Sequence, residues 1–151
     1  MGRVRVSVKA IITEHGRLLV LRHHVDGKHW FSLPGGGQEH GETLSAALRR
    51  ECLEEIGSDV TVGPLRFVRD YIGAHHEFAA IDGARHQLEL MFECRLQSAP
   101  GAGTRPDPLQ VGIEWLDLET LDDQELYPKV LRRLLVRGDG GAGPRYLGDV
   151  N

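Results

Sequence analysis

Three glutamates near residue 50 occupy helix positions that a soluble protein normally fills with apolar side chains. A helix over Thr43–Ile56 turns by about 100° per residue, so its apolar residues form one broad stripe. The stripe comprises Leu44, Ala47, Leu48, Cys52 and Ile56. Glu51 and Glu55 fall inside this stripe, and Glu54 lies at its edge. Such carboxylates repel one another by about 0.2–0.5 kcal/mol per pair and lose hydration against a core, so a bound divalent cation is the expected compensation.

Three consecutive glycines at residues 35–37 precede this helix and add a second feature suited to metal binding. Mg²⁺ prefers octahedral oxygen coordination and usually takes one or two carboxylates together with waters and substrate phosphates. Glutamates spaced i, i+3 and i, i+4 converge on one side of a helix, and glycine lets a main-chain carbonyl approach closely. The pattern therefore favours a site for divalent cations at this end of the helix.

The bulk composition limits the classes of function. The chain has 151 residues, of which 40% are apolar and 26% are charged, as in a single soluble globular domain. Its 18 basic and 22 acidic residues give a net charge of −4, which disfavours a nucleic acid held by a basic stripe. Neither a secretory leader nor an apolar run long enough for a membrane span is evident, so a cytoplasmic protein is expected. Cys52 and Cys94 are too few for a disulfide scaffold and are expected to be small buried hydrophobes.

Strands and helices alternate irregularly along the chain, which favours a mixed sheet covered by helices. Alternating apolar residues and short apolar runs bounded by Gly or Pro predict the strands. These strands are residues 4–12, 18–21, 30–33, 60–68, 88–96 and 113–116. A polar loop is expected at His23–His29 and a surface loop at residues 98–107. Gly57 should end the glutamate helix, and a final helix should open at Tyr127-Pro128.

The expected domain organisation is one domain over residues 1–137, followed by a flexible C-terminal tail over residues 138–151. From Gly138 onward the sequence is rich in glycine and shows no hydrophobic periodicity. The sequence contains no evident internal repeat that would indicate a solenoid or a second domain.

The segment from Gly36 to Ser58 resembles the signature of the Nudix hydrolases, the MutT-like family. That signature is G-x5-E-x7-R-E-U-x-E-E-x-G-U, with U a bulky apolar residue. The matching positions are Gly36, Glu42, Arg50, Glu51, Cys52, Glu54, Glu55 and Gly57. Cys52 is smaller than usual at its position, and Ser58 replaces the closing apolar residue, a departure that concerns local packing more than chemistry. The resemblance implies an α/β protein with the Nudix fold, an α/β/α sandwich with a mixed β-sheet between helices.

The resemblance also implies a reaction and a set of metal ligands. The activity is that of a pyrophosphohydrolase, which uses Mg²⁺ or Mn²⁺ to cleave the diphosphate bond of a nucleoside diphosphate linked to another group X. Glu54 and Glu55 are implied to be the principal metal ligands. Gly36 would add a carbonyl, and Glu51 would serve as a third ligand or as the base. Arg50, one turn before Glu54, would orient the carboxylates through charge-assisted hydrogen bonds.

Residues outside the signature are less specific candidates for binding the substrate. Some family members use a further carboxylate, for which Glu89 is preferred here over Glu93 and Asp107. The candidates for contacts with phosphate or base are Arg22, Lys28, Trp30, Arg69, Tyr71, Phe78 and Arg85. Aromatic residues in such positions are more often simple core packing, and most of the basic residues are expected to be solvated charges.

Two alternatives remain open at this point. The substrate could be a (d)NTP, ADP-ribose, a nucleotide sugar or a dinucleoside polyphosphate, because specificity would lie in loops such as residues 22–29 and 70–85. In a different class, the chain would be a non-catalytic nucleotide-sensing module, which the three retained helix glutamates argue against. The expected partner is a small nucleotide diphosphate derivative, with no nucleic acid or membrane and with a homodimer left open.

Overall fold

Two β-sheets and the helices that cover them make up the fold over residues 2–106, 108–137 and 143–151, the part of the chain that this computed structural model describes. The strands are β1 (Val4–Ile11), β2 (Thr13–Glu14), β3 (Arg17–Val25), β4 (Lys28–Ser32), β5 (Gly35–Gly37), β6 (Val60–Ile72), β7 (His86–Leu96), β8 (Gln110–Asp117) and β9 (Arg145–Asp149). The helices are α1 (Leu44–Ile56), α2 (Ala79–Asp82) and α3 (Leu131–Arg137), with 3₁₀ turns at Gly73–His75 and Leu118–Asp123.

The first sheet is mixed and holds its strands in the order β5-β1-β7-β6-β9. Strands β1 and β7 are parallel, as are β6 and β9, whereas β5 pairs antiparallel with β1 and β6 antiparallel with β7. In the second sheet, β3 pairs antiparallel with β2, β4 and β8. The mixed sheet predicted from the sequence is confirmed, and an antiparallel sheet lies beside it.

Helix α1 covers one side of the sheets through its apolar stripe. The Thr43 side chain accepts a hydrogen bond from the N–H of Ala46 at 3.1 Å, and Gly57 ends the helix in the left-handed region at φ 65°. The core on this side consists of Val8, Ala10, Ile12, Leu19, Leu21, Ala47, Leu48, Cys52, Ile56, Val60 and Cys94. The predicted helix, its capping glycine and its buried face are therefore confirmed.

A second core lies on the other side of the sheets, under the turn at Leu118–Asp123 and helix α3. Its buried members are Ile11, Leu18, Val20, Phe31, Leu33, Phe67, Met91, Leu116, Leu121, Leu126 and Leu131. Strand β3 contributes alternate residues to both cores, which explains its unbroken apolar run. Helical cover on both sides confirms the α/β/α arrangement, although the final helix begins at Leu131 and not at Tyr127-Pro128.

The polar loop predicted at His23–His29 is wrong, because these residues form the end of a β-hairpin. His24 pairs with His29, and Val25 pairs with Lys28. Asp26 and Gly27 make the turn with φ values of 50° and 76°, and this left-handed pair matches the twist of a two-residue hairpin. The histidine side chains are thereby carried on strands and not on a loop.

The flexible tail predicted over residues 138–151 is wrong in its last part. Residues 138–142 lie outside the described residues. Arg145–Asp149 form β9, which runs parallel to β6, with Tyr146 opposite Val68. Main-chain hydrogen bonds hold this strand at the edge of the sheet. Its side chains therefore need no alternating apolar pattern, and the glycine-rich sequence shows none.

Both cysteines are buried free thiols, as expected. Burial raises the pKa of Cys94 to about 12 and also raises that of Cys52, so both act as small protonated hydrophobes. As to membranes, none of the helices within the described residues has the length and apolar character that a span requires.

Candidate active site

The glycine strand β5 brings main chain directly against the glutamate face of α1. In its antiparallel pairing with β1, Gly36 lies opposite Val8. A Cβ on Gly36 would lie 2.6 Å from the carboxylate carbon of Glu51. Gly35 has φ 142°, and a Cβ there would collide with the carbonyl of Val8. Glycine at both positions is therefore what allows the main chain to approach the helix carboxylates.

Arg50 links the carboxylates to one another and to the glycine strand. Its Nε and Nη2 donate to the two carboxylate oxygens of Glu42 at 2.8 and 3.0 Å. Its Nη1 donates to Glu51 at 3.0 Å and to Glu54 at 3.3 Å, and Nη2 also donates to the carbonyl of Gly37 at 3.0 Å. The hydrogen bonds to Arg50 lower the pKa of Glu42 and, reciprocally, raise that of Arg50. These contacts have the geometry that an orienting role for Arg50 requires.

Glu55 is the most buried of the three helix glutamates. It is 7% exposed, whereas Glu51 and Glu54 are half-buried. Its Oε1 accepts a hydrogen bond from the N–H of Gly35 at 2.7 Å, which fixes the carboxylate to the glycine strand. The angular prediction that Glu55 points toward the core is confirmed.

The donors at this site suit a hard divalent cation. Glu51 and Glu54 both approach Nη1 of Arg50, so two carboxylates already stabilise positive charge at that point. The side-chain donors are all carboxylate oxygens, and the main chain of Gly36 lies against one of them. Within the described residues, no group of three or more His, Cys, Asp or Glu side chains is arranged to hold a metal ion. Mg²⁺ usually takes one or two carboxylates and completes its coordination with water and substrate phosphate.

The three glutamates open onto a cavity of about 640 Å³. Its floor is the polar face of the mixed sheet, to which β1 contributes Arg5, Ser7 and Lys9 and β7 contributes Gln87 and Glu89. Arg85 and Arg105 also line the cavity. The volume lies in the range of small-molecule sites, and the basic residues balance the carboxylates at one end.

Glu89 belongs to a buried ion pair in the cavity floor. Arg69 donates from Nε and Nη2 to its two carboxylate oxygens at 3.0 and 3.2 Å. Burial alone would raise the pKa of Glu89, but Arg69, Lys9 and Arg85 outweigh burial and lower it. The extra carboxylate preferred from the sequence thus lies in the cavity, in ionised form and already neutralised by Arg69.

Three rings, Trp30, Phe78 and Tyr127, form what we call the aromatic wall of the cavity. The ring centroid of Phe78 lies 5.5 Å from that of Trp30 and 5.0 Å from that of Tyr127. His23 stacks on Trp30 at 4.1 Å, with its Nε2 2.7 Å from the hydroxyl of Ser32. Flat aromatic faces beside a polar floor suit the stacking of a nucleobase.

The segment that carries Phe78 is tied to strand β9. Asp149 accepts a hydrogen bond from the N–H of Ile72 at 3.0 Å, and its two carboxylate oxygens lie 2.7 Å from Nδ1 of His75 and 2.6 Å from Nε2 of His76. These contacts hold the pKa of Asp149 well below its usual range, although desolvation alone would raise it. Strand β9 therefore fixes the start of the segment that leads to the aromatic wall.

Several candidates named from the sequence lie outside the cavity. Arg22 pairs with Glu114 at 3.1 Å, and Glu93 pairs with Arg66. Asp107 lies outside the described residues. The candidates that do line the cavity are Trp30, Arg69, Tyr71, Phe78, Arg85 and Glu89.

Sequence reasoning missed the polar residues of the cavity floor. The alternation along β1 identified Val8 and its apolar companions as the buried side and left Arg5, Ser7 and Lys9 without a role. Because β1 pairs in parallel with β7, these polar residues share a face with Gln87. Alternation was a signal that they lie on one face, but it gave no sign that the face lines a cavity.

Ser58, the departure from the family signature, is satisfied locally. It is 1% exposed, its hydroxyl lies 3.0 Å from the carbonyl oxygen of Ser98, and it accepts a hydrogen bond from the N–H of Ser98 at 3.2 Å. A buried hydroxyl with such partners replaces the apolar residue without leaving an unpaired polar group. The departure leaves the carboxylates unaffected.

Comparison with known proteins shows the family to which the chain belongs and several similar proteins. The model of the NUDIX domain matches residues 1–135. Phosphatase NudJ from Escherichia coli (strain K12) is 30% identical over 97 residues, which is 64% of this chain and 58% of NudJ. The chain thus spans a little over half the length of this curated relative.

Solved structures with the same architecture include two with names that describe hydrolases. A MutT NUDIX hydrolase from Burkholderia pseudomallei is 26% identical with a TM-score of 0.62, covering 78% of this chain and 85% of that one. An ADP-ribose pyrophosphatase from Streptococcus suis 89-1591 is 18% identical with a TM-score of 0.67, covering 97% of this chain and all of that one (100%). At such identities, the second likeness is one of fold.

Proposed function

Since the chain belongs to the NUDIX family, we propose that it hydrolyses the diphosphate bond of a nucleoside diphosphate linked to another group. The observation that carries the proposal is the convergence of Glu51, Glu54 and Glu55 with the glycine strand at one end of a cavity that has an aromatic wall. The names of two similar proteins, a phosphatase and an ADP-ribose pyrophosphatase, support this class of substrate.

Mg²⁺ or Mn²⁺ would be held by Glu54 and Glu55, with Glu51 as a third ligand or as the base and with the carbonyl of Gly36. Bound there, the cation supplies positive charge that neutralises the phosphates and makes the attacking water more acidic. Without it, the three carboxylates would repel a diphosphate.

Arg50 keeps the carboxylates in position during the reaction. Glu42 accepts hydrogen bonds from Nε and Nη2 of Arg50. The remaining nitrogen of Arg50, Nη1, therefore stays between Glu51 and Glu54. A bidentate pair of this kind fixes direction as well as distance. Arg50 is therefore assigned a positioning role, while the glutamates contact the reacting groups.

Lys9 and Arg5 would bind the phosphate oxygens from the floor. Nζ of Lys9 lies 3.4 Å from the carbonyl of Gly35, and the guanidinium of Arg5 lies against Gly37. Both cations thus flank the glycine strand next to the carboxylates. They offset the charge that builds up on the phosphates in the transition state.

The proposed hydrolysis can be written as a balanced reaction. The oxygen of a water forms a bond to one phosphorus, and the bond between that phosphorus and the bridging oxygen breaks. The bridging oxygen leaves with the electron pair on the second phosphate, and a glutamate, with Glu51 as the candidate, accepts the proton of the water. The products are two phosphate compounds and one released proton.

A substrate panel tests this proposal. Purified protein is incubated with Mg²⁺ or Mn²⁺ and with nucleoside triphosphates, ADP-ribose, nucleotide sugars or dinucleoside polyphosphates, and the products are identified by mass. Water labelled with ¹⁸O shows which phosphorus is attacked. We expect a nucleoside monophosphate, or a monophosphate and diphosphate, from at least one compound. Binding of a nucleotide without any hydrolysis product under these conditions would contradict the proposal and favour a nucleotide-sensing module.

A further inference from the structure

The C-terminal end of α1 is held by residues 102–106, which we call the capping loop, together with Gly101 and Gln110. The last four carbonyl groups of a helix have no partner within the helix itself. In α1, each of the four accepts a hydrogen bond from this part of the chain. The donors to Leu53, Glu54, Glu55 and Ile56 are, in that order, the N–H of Thr104 (3.3 Å), the N–H of Arg105 (2.9 Å), the side-chain amide of Gln110 (2.9 Å) and the N–H of Gly101 (2.8 Å). The capping loop is therefore fixed to the main chain that carries two of the helix glutamates.

The capping loop also packs directly against the end of the helix. A Cβ on Gly103 would lie 2.0 Å from the carbonyl oxygen of Glu54, and a Cβ on Gly57 would lie 2.6 Å from that of Ala102. Glycine at both positions allows two stretches of main chain to meet with no side chain between them. In contrast, nothing in the described part of the chain lies within 4 Å of the position that a Cβ on Gly101 would take. Gly103 therefore sets how closely the loop approaches the helix.

This anchored loop carries Arg105 to the cavity. Arg105 and the following Pro106 line the same cavity as Glu54 and Glu55. The main chain of Arg105 is bonded to that of Glu54, so the start of its side chain is fixed relative to the helix glutamates. Arg105 is also exposed, which leaves its guanidinium accessible to a ligand in the cavity.

The end of α1 is a place where a bound phosphate needs additional positive charge. The C-terminus of a helix carries about half a negative charge from its aligned peptide dipoles. The last turn of α1, which the structure describes in full, contains Glu54 and Glu55 and no basic side chain. Arg5 and Lys9 lie beside the glycine strand, on the floor of the cavity. Arg105 supplies positive charge from the helix end, on the loop that caps it.

We propose that Arg105 is a further substrate-binding residue, which contacts a phosphate oxygen of the nucleotide and is kept in register with Glu54 and Glu55 by the capping loop. A guanidinium can donate two parallel hydrogen bonds to one phosphate group, which fixes the direction of the phosphate as well as its distance. This inference rests on the proposed function, because it takes the diphosphate to lie at the helix glutamates.

Binding of nucleotide analogues that cannot be cleaved tests the contact with Arg105. The α,β-methylene analogues of ADP, GDP, CDP and UDP are titrated into the wild-type protein by calorimetry in Mg²⁺, and the tightest is used with the variants. Arg105→Gln should weaken its binding by about tenfold, because a charge-assisted hydrogen bond to phosphate is lost. Arg105→Lys should recover part of the loss, since it keeps the charge without the fork.

Arg95→Gln is the matched control, because Arg95 is an exposed arginine outside the cavity. It should bind the analogue as the wild type does. Wild-type affinity in Arg105→Gln, an equal loss in Arg95→Gln, or no binding of any of the four analogues by the wild type would overturn the inference.

Gly103→Ala tests whether the capping loop keeps Arg105 in place. The added methyl group would press on the carbonyl of Glu54 and move the loop away from the helix, although the guanidinium is retained. The variant should therefore weaken the analogue by about fivefold or more, whereas Gly101→Ala, which has open space for its methyl group, should bind as the wild type does. Wild-type affinity in a folded Gly103→Ala protein would contradict the role of the loop. Should this variant fail to fold, Arg105→Gln still decides the phosphate contact, because it changes only an exposed side chain.

Steady-state kinetics with the best substrate of the panel separate this inference from the proposed function. Arg105→Gln should raise KM by about tenfold, with a smaller effect on kcat. Weaker analogue binding by Arg105→Gln in a protein that hydrolyses none of the compounds would contradict the proposed function and leave the phosphate contact intact. Hydrolysis by Arg105→Gln with wild-type kcat/KM would contradict the phosphate contact and leave the hydrolase intact.

Discussion

Replacement of Glu89 by Gln is expected to lower the free energy of unfolding by about 3 kcal/mol, because Arg69 would stay buried without a countercharge. Arg69 and Glu89 are 6% and 3% exposed and share two hydrogen bonds, so solvent screens the pair very little. For a domain of this size, each kcal/mol shifts Tm by about 2–4 °C, which gives a shift of roughly 6–12 °C.

The pH dependence of this effect has a definite sign. The pKa of Glu89 is lowered in the folded protein, so the folded state binds fewer protons at this site than the unfolded state. The stabilisation by Glu89 is therefore complete above its unfolded-state pKa of about 4.3 and fades as the pH falls below that value. The difference between wild type and Glu89→Gln should stay constant from pH 6 to 8 and shrink in acid.

Urea denaturation of four proteins measures these quantities. Glu93→Gln is the matched control on the same strand, because Glu93 is half-exposed and its pair with Arg66 is worth about 0–1 kcal/mol. The double variant Glu89→Leu with Arg69→Met should regain most of the lost stability, since it leaves no buried charge unpaired. A Glu89→Gln protein as stable as the control would refute the buried-pair account, and so would a double variant less stable than the single one.

Two further predictions concern positioning residues. Glu42→Gln should lower kcat by about 10- to 100-fold with Tm little changed, because Arg50 loses the carboxylate charge that holds two of its nitrogens. Steady-state kinetics at saturating Mg²⁺ measure this effect. An unchanged kcat would show that Arg50 does not need Glu42 for its position. Asp149→Asn should raise KM by about tenfold with a smaller effect on kcat, because the segment leading to Phe78 loses its anchor at His75 and His76. Asp122→Asn, at an exposed position, is its control, and equal KM values for the two variants would exclude the anchoring role.

Helix α1 was predictable because its signals are local. Thr43 and Gly57 mark its ends, and the 3.6-residue period alone showed that Glu55 points inward. The hairpin at Asp26-Gly27 had an equally local signal, a dipeptide typical of a two-residue turn, which the concentration of histidines obscured.

The cavity floor and strand β9 could not be predicted, because they depend on pairings between distant segments. Ser7 meets Glu89 across a parallel pairing of strands some eighty residues apart, and Tyr146 meets Val68 in the same way. No residue pattern within either segment specifies its partner. Consequently the sequence identified the carboxylate face of α1, whereas the residues that line the rest of the cavity required the structure.

The most direct test of the central claim is the metal-dependent hydrolysis rate of Glu55→Gln and Glu54→Gln, compared with wild type and with the exposed control Glu119→Gln. Wild type and control should be active only with added Mg²⁺ or Mn²⁺ and inactive with a chelator. The two helix variants should be folded yet slower by at least about a hundredfold at saturating metal. Near wild-type hydrolysis by either variant, or wild-type activity that survives the chelator, would contradict the assignment of this face as the catalytic metal site.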